Sequence, residues 1–171
     1  MISKKMVDII NKQINAELYS SYLYLSMSSY STLIGLAGAA NWFYVQSKEE
    51  MTHALKMFNY ISDQGEHVEL KAIEGPATTF KSIEHMFAET LKHEKVVTSL
   101  INNIVSLAKK ENDHATEIFY QWFVTEQVEE EKNASEILAK VKLAGNNTGG
   151  LFMIDNELKA RVFTPPVGLV L

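Results

Sequence analysis

The stretch Glu49-Glu50-Met51-Thr52-His53 contains two adjacent acidic residues and, three positions after the second, a histidine. The prediction of the fold starts from the position of this stretch in a helix. In a helix, Glu50 and His53 lie on one face, about one turn apart, so they form half of a possible metal site. The same spacing recurs from Glu111 to His114, in a polar segment that no apolar row crosses. Spacing alone therefore does not identify a site, and the surrounding sequence must decide between the two pairs.

That surrounding sequence predicts an all-α chain. Prolines occur only at positions 76, 165 and 166, so the strongest helix breaker is absent from most of the chain. Cap residues, glycines and apolar periodicity predict helices over 3–31, 39–64, 82–110, 114–144 and 151–161. Residues 1–161 are thus predicted to form an antiparallel four-helix bundle with a long crossover over 65–81 and a short fifth helix. An apolar C-terminal tail follows over 162–171.

Each of the four long helices carries one glutamate in an otherwise apolar row of residues spaced seven apart. In the second helix the row is Leu36, Phe43, Glu50 and Met57. The other three glutamates are flanked in the same way: Glu17 by Ile10 and Tyr24, Glu94 by Phe87 and Ile101, and Glu130 by Phe123 and Ile137. Such rows face the core of a bundle. Because each glutamate lies near the middle of its helix, antiparallel packing brings the four carboxylates together.

Four buried carboxylates in one core indicate bound cations. An uncompensated buried anion costs on the order of several kcal/mol, so each must be protonated, paired or bound to a cation. Basic residues lie mostly off these rows, and carboxylates with an imidazole suit a pair of metal ions. His53 is the one histidine predicted as a ligand, whereas His67, His85 and His93 are predicted at the surface. The alternative is that some rows lie at bundle edges, where glutamate is solvated.

Composition narrows the class of protein. A net charge of −5 argues against nucleic acid as a partner, because domains that bind it carry a basic surface. The absence of cysteine excludes disulfides and thiolate metal sites. The sequence has no signal-peptide pattern and no apolar run near the ~20 residues of a membrane span. A soluble, cytoplasmic protein without a membrane or nucleic-acid partner is expected.

Four motifs resemble the non-haem ferritins of bacteria and archaea, in that family's order and spacing. They are Asn15–Tyr24 (NAELYSSYLY), Glu49–Ala54 (EEMTHA), His93-Glu94, and Trp122–Glu131 (WFVTEQVEEE). The resemblance covers approximately residues 1–160. It implies a hollow homo-oligomeric shell of twenty-four subunits. Each bundle would oxidise Fe(II) with O2 or H2O2 at a di-iron centre, and the shell would store the product as a ferric oxide mineral.

The resemblance also implies the ligands of the two iron ions. On the fourth helix the chain reads Gln127-x-x-Glu130, where haem-containing bacterioferritins have a second Glu-x-x-His. This departure implies the non-haem branch, no haem cofactor, and a weaker second iron position that suits release of iron into a store. The implied assignments are Glu17, Glu50 and His53 at the first iron, with Glu50 bridging, Glu94 and Glu130 at the second, and Gln127 near the oxidant.

Further residues match secondary features of the family. Glu49, Glu126 and Glu129 resemble the ligands of a third iron site, with Glu130 shared; a solvated acidic stripe is the alternative. Glu49 is turned about 100° from Glu50, so it belongs with that third set rather than with the core pair. Tyr24 matches a redox tyrosine close to the iron pair, and Trp122 is a candidate further electron source. Membership of the apolar core is the alternative for both aromatic residues, and the functional role is favoured for Tyr24.

Two other interpretations of the chain stay open from the sequence. One is a smaller soluble di-iron oxidase or peroxide-scavenging protein on the same bundle, and the other is a purely structural helical bundle. The apolar tail is expected either to pack against the fifth helix or to project into the shell cavity. Glu111, Asp113 and Glu117 could line an entry pore, although a solvated helix start explains them as well.

Overall fold

The structure is a computed structural model that describes residues 2–165. Its helices are α1 (Lys4–Leu33), α2 (Ala37–Asp63), α3 (Ile83–Glu111), α4 (His114–Ala144) and α5 (Thr148–Leu158). Helix α1 packs against α2, α3 packs against α4, and contacts between α1 and α3 join the two hairpins. The predicted all-α, four-helix bundle with a short fifth helix is confirmed. Among these helices, none is both long and apolar enough to cross a membrane.

Side-chain caps explain where most of the helices begin. Ser3 accepts a hydrogen bond from the Met6 N–H at 3.1 Å, and Ser82 does the same for His85. Asp113 caps α4 through the Thr116 N–H at 3.1 Å. Each cap satisfies one of the N–H groups that a helix start leaves without an intrahelical partner. The predicted starts of α1, α3 and α4 therefore lie within a residue or two of the observed ones.

Helix α5 was predicted three residues too late. It begins at Thr148, because Asn147 accepts a hydrogen bond from the Gly150 N–H at 3.0 Å and acts as its cap. Gly149 and Gly150 had indicated a loop. A Cβ at Gly150 would lie 3.1 Å from the Ala144 Cβ, so a small residue lets this turn pack against the end of α4. The helix correspondingly ends at Leu158 rather than Arg161.

The long connection between α2 and α3 is non-helical, as predicted, and side chains of α1 hold it in place. The Asn11 side chain accepts a hydrogen bond from the Glu69 N–H at 3.2 Å and donates to the His67 carbonyl at 3.5 Å. The Ser26 hydroxyl donates to the Ala77 carbonyl at 2.7 Å. This crossover runs along the bundle, so α2 and α3 need not be joined by a tight turn.

Two apolar clusters fill the core on either side of a central polar layer. One contains Ile10, Met57, Ile101 and Phe123, and the other contains Tyr24, Phe43, Phe87 and Ile137. On every long helix the core glutamate lies between its contributions to these two clusters. The heptad rows therefore alternate apolar, acidic and apolar along the length of the bundle.

Only part of the predicted tail over 162–171 lies within the described residues. After α5, residues 159–165 turn back along α2, where the Asn41 side chain donates hydrogen bonds to the last carbonyl of α5 and to two carbonyls of this segment. The acceptors are the carbonyls of Leu158, Lys159 and Arg161, at 3.4, 3.3 and 2.9 Å. The boundary at residue 161 and the position of residues 166–171 stay predictions, and the latter lie outside the described part of the chain.

Candidate metal centre

The four core glutamates and His53 converge in the interior of the bundle. Exposed fractions are 0% for Glu17, 1% for Glu50, 1% for Glu94, 6% for Glu130 and 4% for His53. These values rule out the alternative in which the glutamate rows lie at solvated edges of the bundle. Each of the four long helices supplies one carboxylate to this cluster, and α2 also supplies the imidazole.

One side of the cluster already has the geometry of a metal site. One ligand atom each from Glu17, Glu50 and His53 lie within 4.8 Å of one another, and within residues 2–165 no other three acidic or histidine side chains do so. The His53 Nδ1 atom lies 3.5 Å from Glu50 Oε2. The Gln13 side chain donates a hydrogen bond to Glu17 Oε1 at 2.8 Å. Three side chains that could bind one cation therefore lie close together before the cation binds.

The other side of the cluster consists of Glu94 and Glu130. The Tyr24 hydroxyl donates a hydrogen bond to Glu94 Oε1, and Gln127 Nε2 lies 3.3 Å from Glu94 Oε2. Gln46 links the two sides, since its Nε2 donates to Glu50 Oε1 at 3.0 Å and to Glu130 Oε2 at 2.7 Å. Amide and phenol donors thus orient the carboxylates.

Burial makes these carboxylates weak acids. Desolvation, followed by the neighbouring charge of Glu50, raises the pKa of Glu17 well above its ordinary value. Desolvation and the charges of Glu94 and Glu130 do the same for the pKa of Glu50. Burial raises the pKa of Glu94 to about 7, and burial together with the charge of Glu94 raises that of Glu130 to about 8. Protons therefore occupy part of the cluster near neutral pH when no cation is bound.

The donor atoms fit a hard or borderline divalent cation. Glu17 Oε2 and Gln46 Oε1 are buried without a hydrogen-bond partner. A buried acceptor without a partner is uncommon in folded proteins, and a cation or ordered water would satisfy it. Carboxylate oxygens with one imidazole nitrogen, and no thiolate, suit Fe(II). The residues present are therefore compatible with two cations sharing the centre.

The residues predicted for a third site share one cavity but do not form a tight ligand set. Glu49, Glu126 and Glu129 line a cavity of about 90 Å³ next to His53 and Glu130. Their carboxylates are absent from the closely spaced groups found in residues 2–165. The Glu49 carboxylate pairs instead with the Arg161 guanidinium. Burial raises the pKa of Glu49, and the charge of Arg161 works against that increase.

The second Glu-x-x-His pair is not a metal site in the structure. Glu111, the last residue of α3, accepts a hydrogen bond from the hydroxyl of Ser3, the cap of α1, at 2.6 Å. His114 is exposed, and its Nδ1 atom lies 3.6 Å from Glu117 instead. The two members of this pair serve different neighbours, because a corner between α3 and α4 separates them.

Two of the three histidines predicted at the surface are in fact partly buried. His93, predicted at the surface, is only partly exposed, and its Nε2 lies 2.7 Å from the Ser20 hydroxyl. Its ring centroid is 6.0 Å from that of Tyr24. His85 is also only partly exposed, and its Nδ1 atom is buried. His67 is exposed, as predicted. His93 is partly buried by its contacts with α1. Its position beside Glu94 in the sequence does not predict those contacts.

Three residues of the site had no part in the sequence prediction. Gln13 and Gln46 each precede a core glutamate by four residues, a spacing that places both side chains on one helix face. That spacing was a usable signal. Arg161 could not be found in this way, because its contact with Glu49 depends on how the chain turns back after α5.

An all-helical bundle with one buried glutamate from each long helix and a histidine beside them defines a ferritin-like metal protein. The model of the Ferritin-like domain family matches residues 7–144. The chain belongs to the ferritin family, as the motifs had indicated.

Individual relatives and solved structures agree with this assignment. A probable bacterial non-heme ferritin-like protein of Haemophilus influenzae is 42% identical over 92% of this chain and 96% of its own length. A bacterial non-heme ferritin of Escherichia coli is 39% identical, with the same coverage of both chains. An open-pore ferritin of Archaeoglobus fulgidus superposes with a TM-score of 0.93 at 47% identity, covering 95% of this chain and 100% of that chain.

Proposed function

We propose that this ferritin stores iron by oxidising Fe(II) at a pair of cation positions inside each bundle. The observation that carries the proposal is the convergence of four buried carboxylates with one imidazole in a layer between two apolar clusters. Iron storage is the function that membership of the ferritin family indicates. The two cation positions, the oxidant and the residue roles given below are parts of the proposal.

The proposed first position is formed by Glu17, Glu50 and His53, whose ligand atoms already lie close together. Glu94 and Glu130 form the second position, and Glu50 is shared between the two. In the structure Gln46 donates to both Glu50 and Glu130, which keeps the shared carboxylate between the two sets. Because the pKa values of these carboxyl groups are raised, binding of Fe(II) displaces protons from the cluster.

Two neighbouring Fe(II) ions together supply the two electrons that the oxidant needs. One O2 with two protons becomes H2O2, or one H2O2 with two protons becomes two molecules of water, while both iron ions become Fe(III). Tyr24, hydrogen-bonded to Glu94, is the proposed redox partner of the iron pair. Gln127 lies against Glu94 on the same side and is the proposed polar neighbour of the oxidant. Trp122, next to His53, is a second candidate electron source.

The cavity lined by Glu49, Glu126 and Glu129 is proposed as a third cation position. Glu130 reaches both this cavity and the core cluster, so it connects the two. A cation leaving the paired centre would meet acidic side chains before it left the subunit. The Gln127-x-x-Glu130 pattern on α4, which lacks a second histidine, is consistent with iron that passes through rather than stays.

The assembly follows from the family. The solved structures that this chain resembles are ferritins, and an oligomeric cage is the expected assembly of this chain. We propose twenty-four identical subunits, a cytoplasmic location, and no membrane or nucleic-acid partner. Large apolar side chains that are exposed on the single chain, including Ile118, Val128 and Leu143, are candidates for burial between subunits.

Stepwise aerobic addition of Fe(II) to the full-length protein tests the proposal. Ferric absorbance that grows well beyond a few iron ions per chain, with the iron retained after desalting, is the expected result. The double variant Glu50→Gln/Glu94→Gln should lose the fast oxidation of Fe(II) that the paired centre provides. Glu84→Gln, at an exposed site on α3, should oxidise Fe(II) as the wild type does. Oxidation that stops at two iron ions per chain would contradict storage, and a small oligomer by light scattering would favour a di-iron oxidase.

A further inference from the structure

The chain after α5 carries an arginine into the cavity of acidic residues. Helix α5 ends at Leu158, and the Asn41 side chain fastens the following backbone to α2. Arg161 then lies with its guanidinium carbon 4.4 Å from the centroid of the Trp42 ring, and its Nη1 donates to the Trp42 carbonyl at 3.3 Å. Its Nη2 pairs with Glu49. Three side-chain contacts, together with the anchored backbone, thus fix the position of the guanidinium.

Among the described residues that line this cavity, Arg161 is the one lysine or arginine, and the His53 imidazole also lines it. The acidic residues of the cavity are Glu49, Glu126, Glu129 and Glu130. The side chains of Arg161 and Glu49 are 19% and 23% exposed. This partial burial protects the pair from full screening by solvent. A guanidinium is charged at every accessible pH and matches the geometry of a carboxylate, so it neutralises Glu49 at any pH while the two remain paired.

We propose that Arg161 is an internal counter-ion that competes with the third metal cation for Glu49 and thereby sets how weakly that cation is held. The inference rests on the proposed function, since it presupposes a third cation position in this cavity. While the cavity is empty, the guanidinium holds the Glu49 carboxylate. A cation that binds there must separate the pair before it gains this ligand.

The contacts of Arg161 make the competition reversible. Stacking on Trp42 and the hydrogen bond to the Trp42 carbonyl do not involve Glu49, so they keep the guanidinium nearby after displacement. Once the cation leaves, the pair can re-form without reorganising the chain. Reciprocity of linked equilibria requires that the arginine weakens the cation by the same factor by which the cation weakens the arginine contact. Arg161 thus acts through Glu49, as a positioning residue. It weakens the binding of a cation in the cavity and so favours passage of the cation over its retention.

Calorimetric titration of the assembled, metal-free protein with Zn²⁺ tests this inference without any oxidation step. The wild type should bind two Zn²⁺ ions per chain tightly and a third weakly. In Arg161→Gln the affinity for the third Zn²⁺ ion should rise on the order of tenfold, within the usual range of coupling between two competing contacts. The affinities for the first two Zn²⁺ ions should stay unchanged. Arg161→Lys keeps the charge but loses the stacking on Trp42 and the forked geometry, so its affinity for the third ion should lie between those of the wild type and Arg161→Gln. Lys140→Gln removes a positive charge from the α4–α5 ion pair with Glu157 and should change nothing.

The outcomes separate the two proposals. Two Zn²⁺ ions bound tightly, with a third affinity that is the same in wild type and Arg161→Gln, would overturn the role of Arg161 and leave the paired centre standing. Absence of any tight Zn²⁺ site would overturn the proposed function and this inference together. Crystals of the wild type soaked in Zn²⁺ decide the question even if Arg161→Gln does not fold. A zinc ion on Glu49 with Arg161 displaced supports the inference, and an intact Glu49–Arg161 pair beside a zinc ion on Glu126 and Glu129 overturns it.

Discussion

The Tyr24 hydroxyl donates a hydrogen bond to the buried Glu94 carboxylate, and this contact joins α1 to α3 at the centre of the bundle. Both side chains are buried, at 0% and 1% exposure. Burial and the charge of Glu94 raise the pKa of Tyr24 well above its ordinary value, so the phenol keeps its proton. The same hydrogen bond lowers the pKa of Glu94, in opposition to the larger effect of burial. The pair therefore couples a potential electron donor to a proposed iron ligand.

Removing this hydroxyl should change the ionisation of Glu94. In Tyr24→Phe the carboxylate loses a donor, so the pKa of Glu94 should rise above the value of about 7 in the wild type, and stability should fall by about 1 kcal/mol. Infrared titration of the metal-free protein, with Glu94→Gln subtracted, measures the carboxyl band. Tyr44→Phe, at a tyrosine of α2 that is 47% exposed, is the control. An unchanged titration in Tyr24→Phe would show that the hydrogen bond has no influence on Glu94.

Metal-free protein should become less stable as pH rises through neutrality. A carboxyl group whose pKa is raised on folding binds its proton more tightly in the folded state. The resulting stability is fully present below the ordinary value of 4.5 and is lost as pH rises through about 7 and about 8, the values for Glu94 and Glu130. The loss should be on the order of a few kcal/mol.

Calorimetric melting temperatures at pH 5.5 and pH 8.5 measure this effect. The temperature should be lower at the higher pH, and the variants Glu94→Gln and Glu130→Gln should each reduce the difference. Saturating Zn²⁺ should restore stability at the higher pH, since a cation replaces the missing protons. A metal-free protein that is equally stable, or more stable, at the higher pH would contradict the raised pKa values.

Gln46 should matter for metal affinity although it is not a proposed ligand. Its amide donates to both Glu50 and Glu130. Gln46→Leu removes both donors at nearly constant volume, so the weaker of the two core Zn²⁺ affinities should fall roughly tenfold to a hundredfold. Zn²⁺ calorimetry measures this change, and Gln121→Leu, at an exposed position of α4, is the matched control. Equal affinities in Gln46→Leu and wild type would assign Gln46 to packing alone.

The docking of α5 depends on a single glycine. Asp155 accepts hydrogen bonds from the Gly38 and Ala39 N–H groups at 3.0 and 2.8 Å, and so caps α2 from another helix. A Cβ at Gly38 would lie 1.6 Å from the Asp155 carbonyl oxygen. Gly38→Ala should therefore destabilise the protein by roughly 3 kcal/mol or more, the range for severe core changes, although alanine ordinarily favours a helix.

Thermal or chemical unfolding measures this loss of stability, and two further variants serve as comparisons. Asp155→Asn should cost about 1–2 kcal/mol through the weakened cap. Gly75→Ala, where a Cβ would contact nothing within 4 Å, should be close to neutral. Gly38→Ala with the stability of Gly75→Ala would show that α5 can shift away from α2 at no cost.

Much of this architecture could be predicted from local patterns. The spacing of Glu17, Glu50, Glu94 and Glu130 within apolar rows specified which face of each helix is buried, since helical periodicity is a local property. Ser3 and Ser82 marked helix starts for the same reason. The four glutamates lie near the middles of their helices. Antiparallel packing is therefore enough to predict that they form one site.

Some of the features that were missed are local, and others depend on contacts between segments distant in sequence. Asn147 was overlooked as a cap because two glycines in the first turn of α5 resemble a loop. His93 was placed at the surface because its burial is created by Ser20 and Tyr24 on another helix. Arg161 reaches Glu49 only because the chain reverses after α5. No periodicity within one segment encodes a contact of this kind.

The most direct test of the paired centre is an anomalous difference map, at the iron absorption edge, from crystals soaked anaerobically in Fe(II). Two peaks are expected inside each bundle, one bounded by Glu17, Glu50 and His53 and the other by Glu50, Glu94 and Glu130. Iron found only on exposed side chains, with the interior of the bundle empty, would contradict the paired centre.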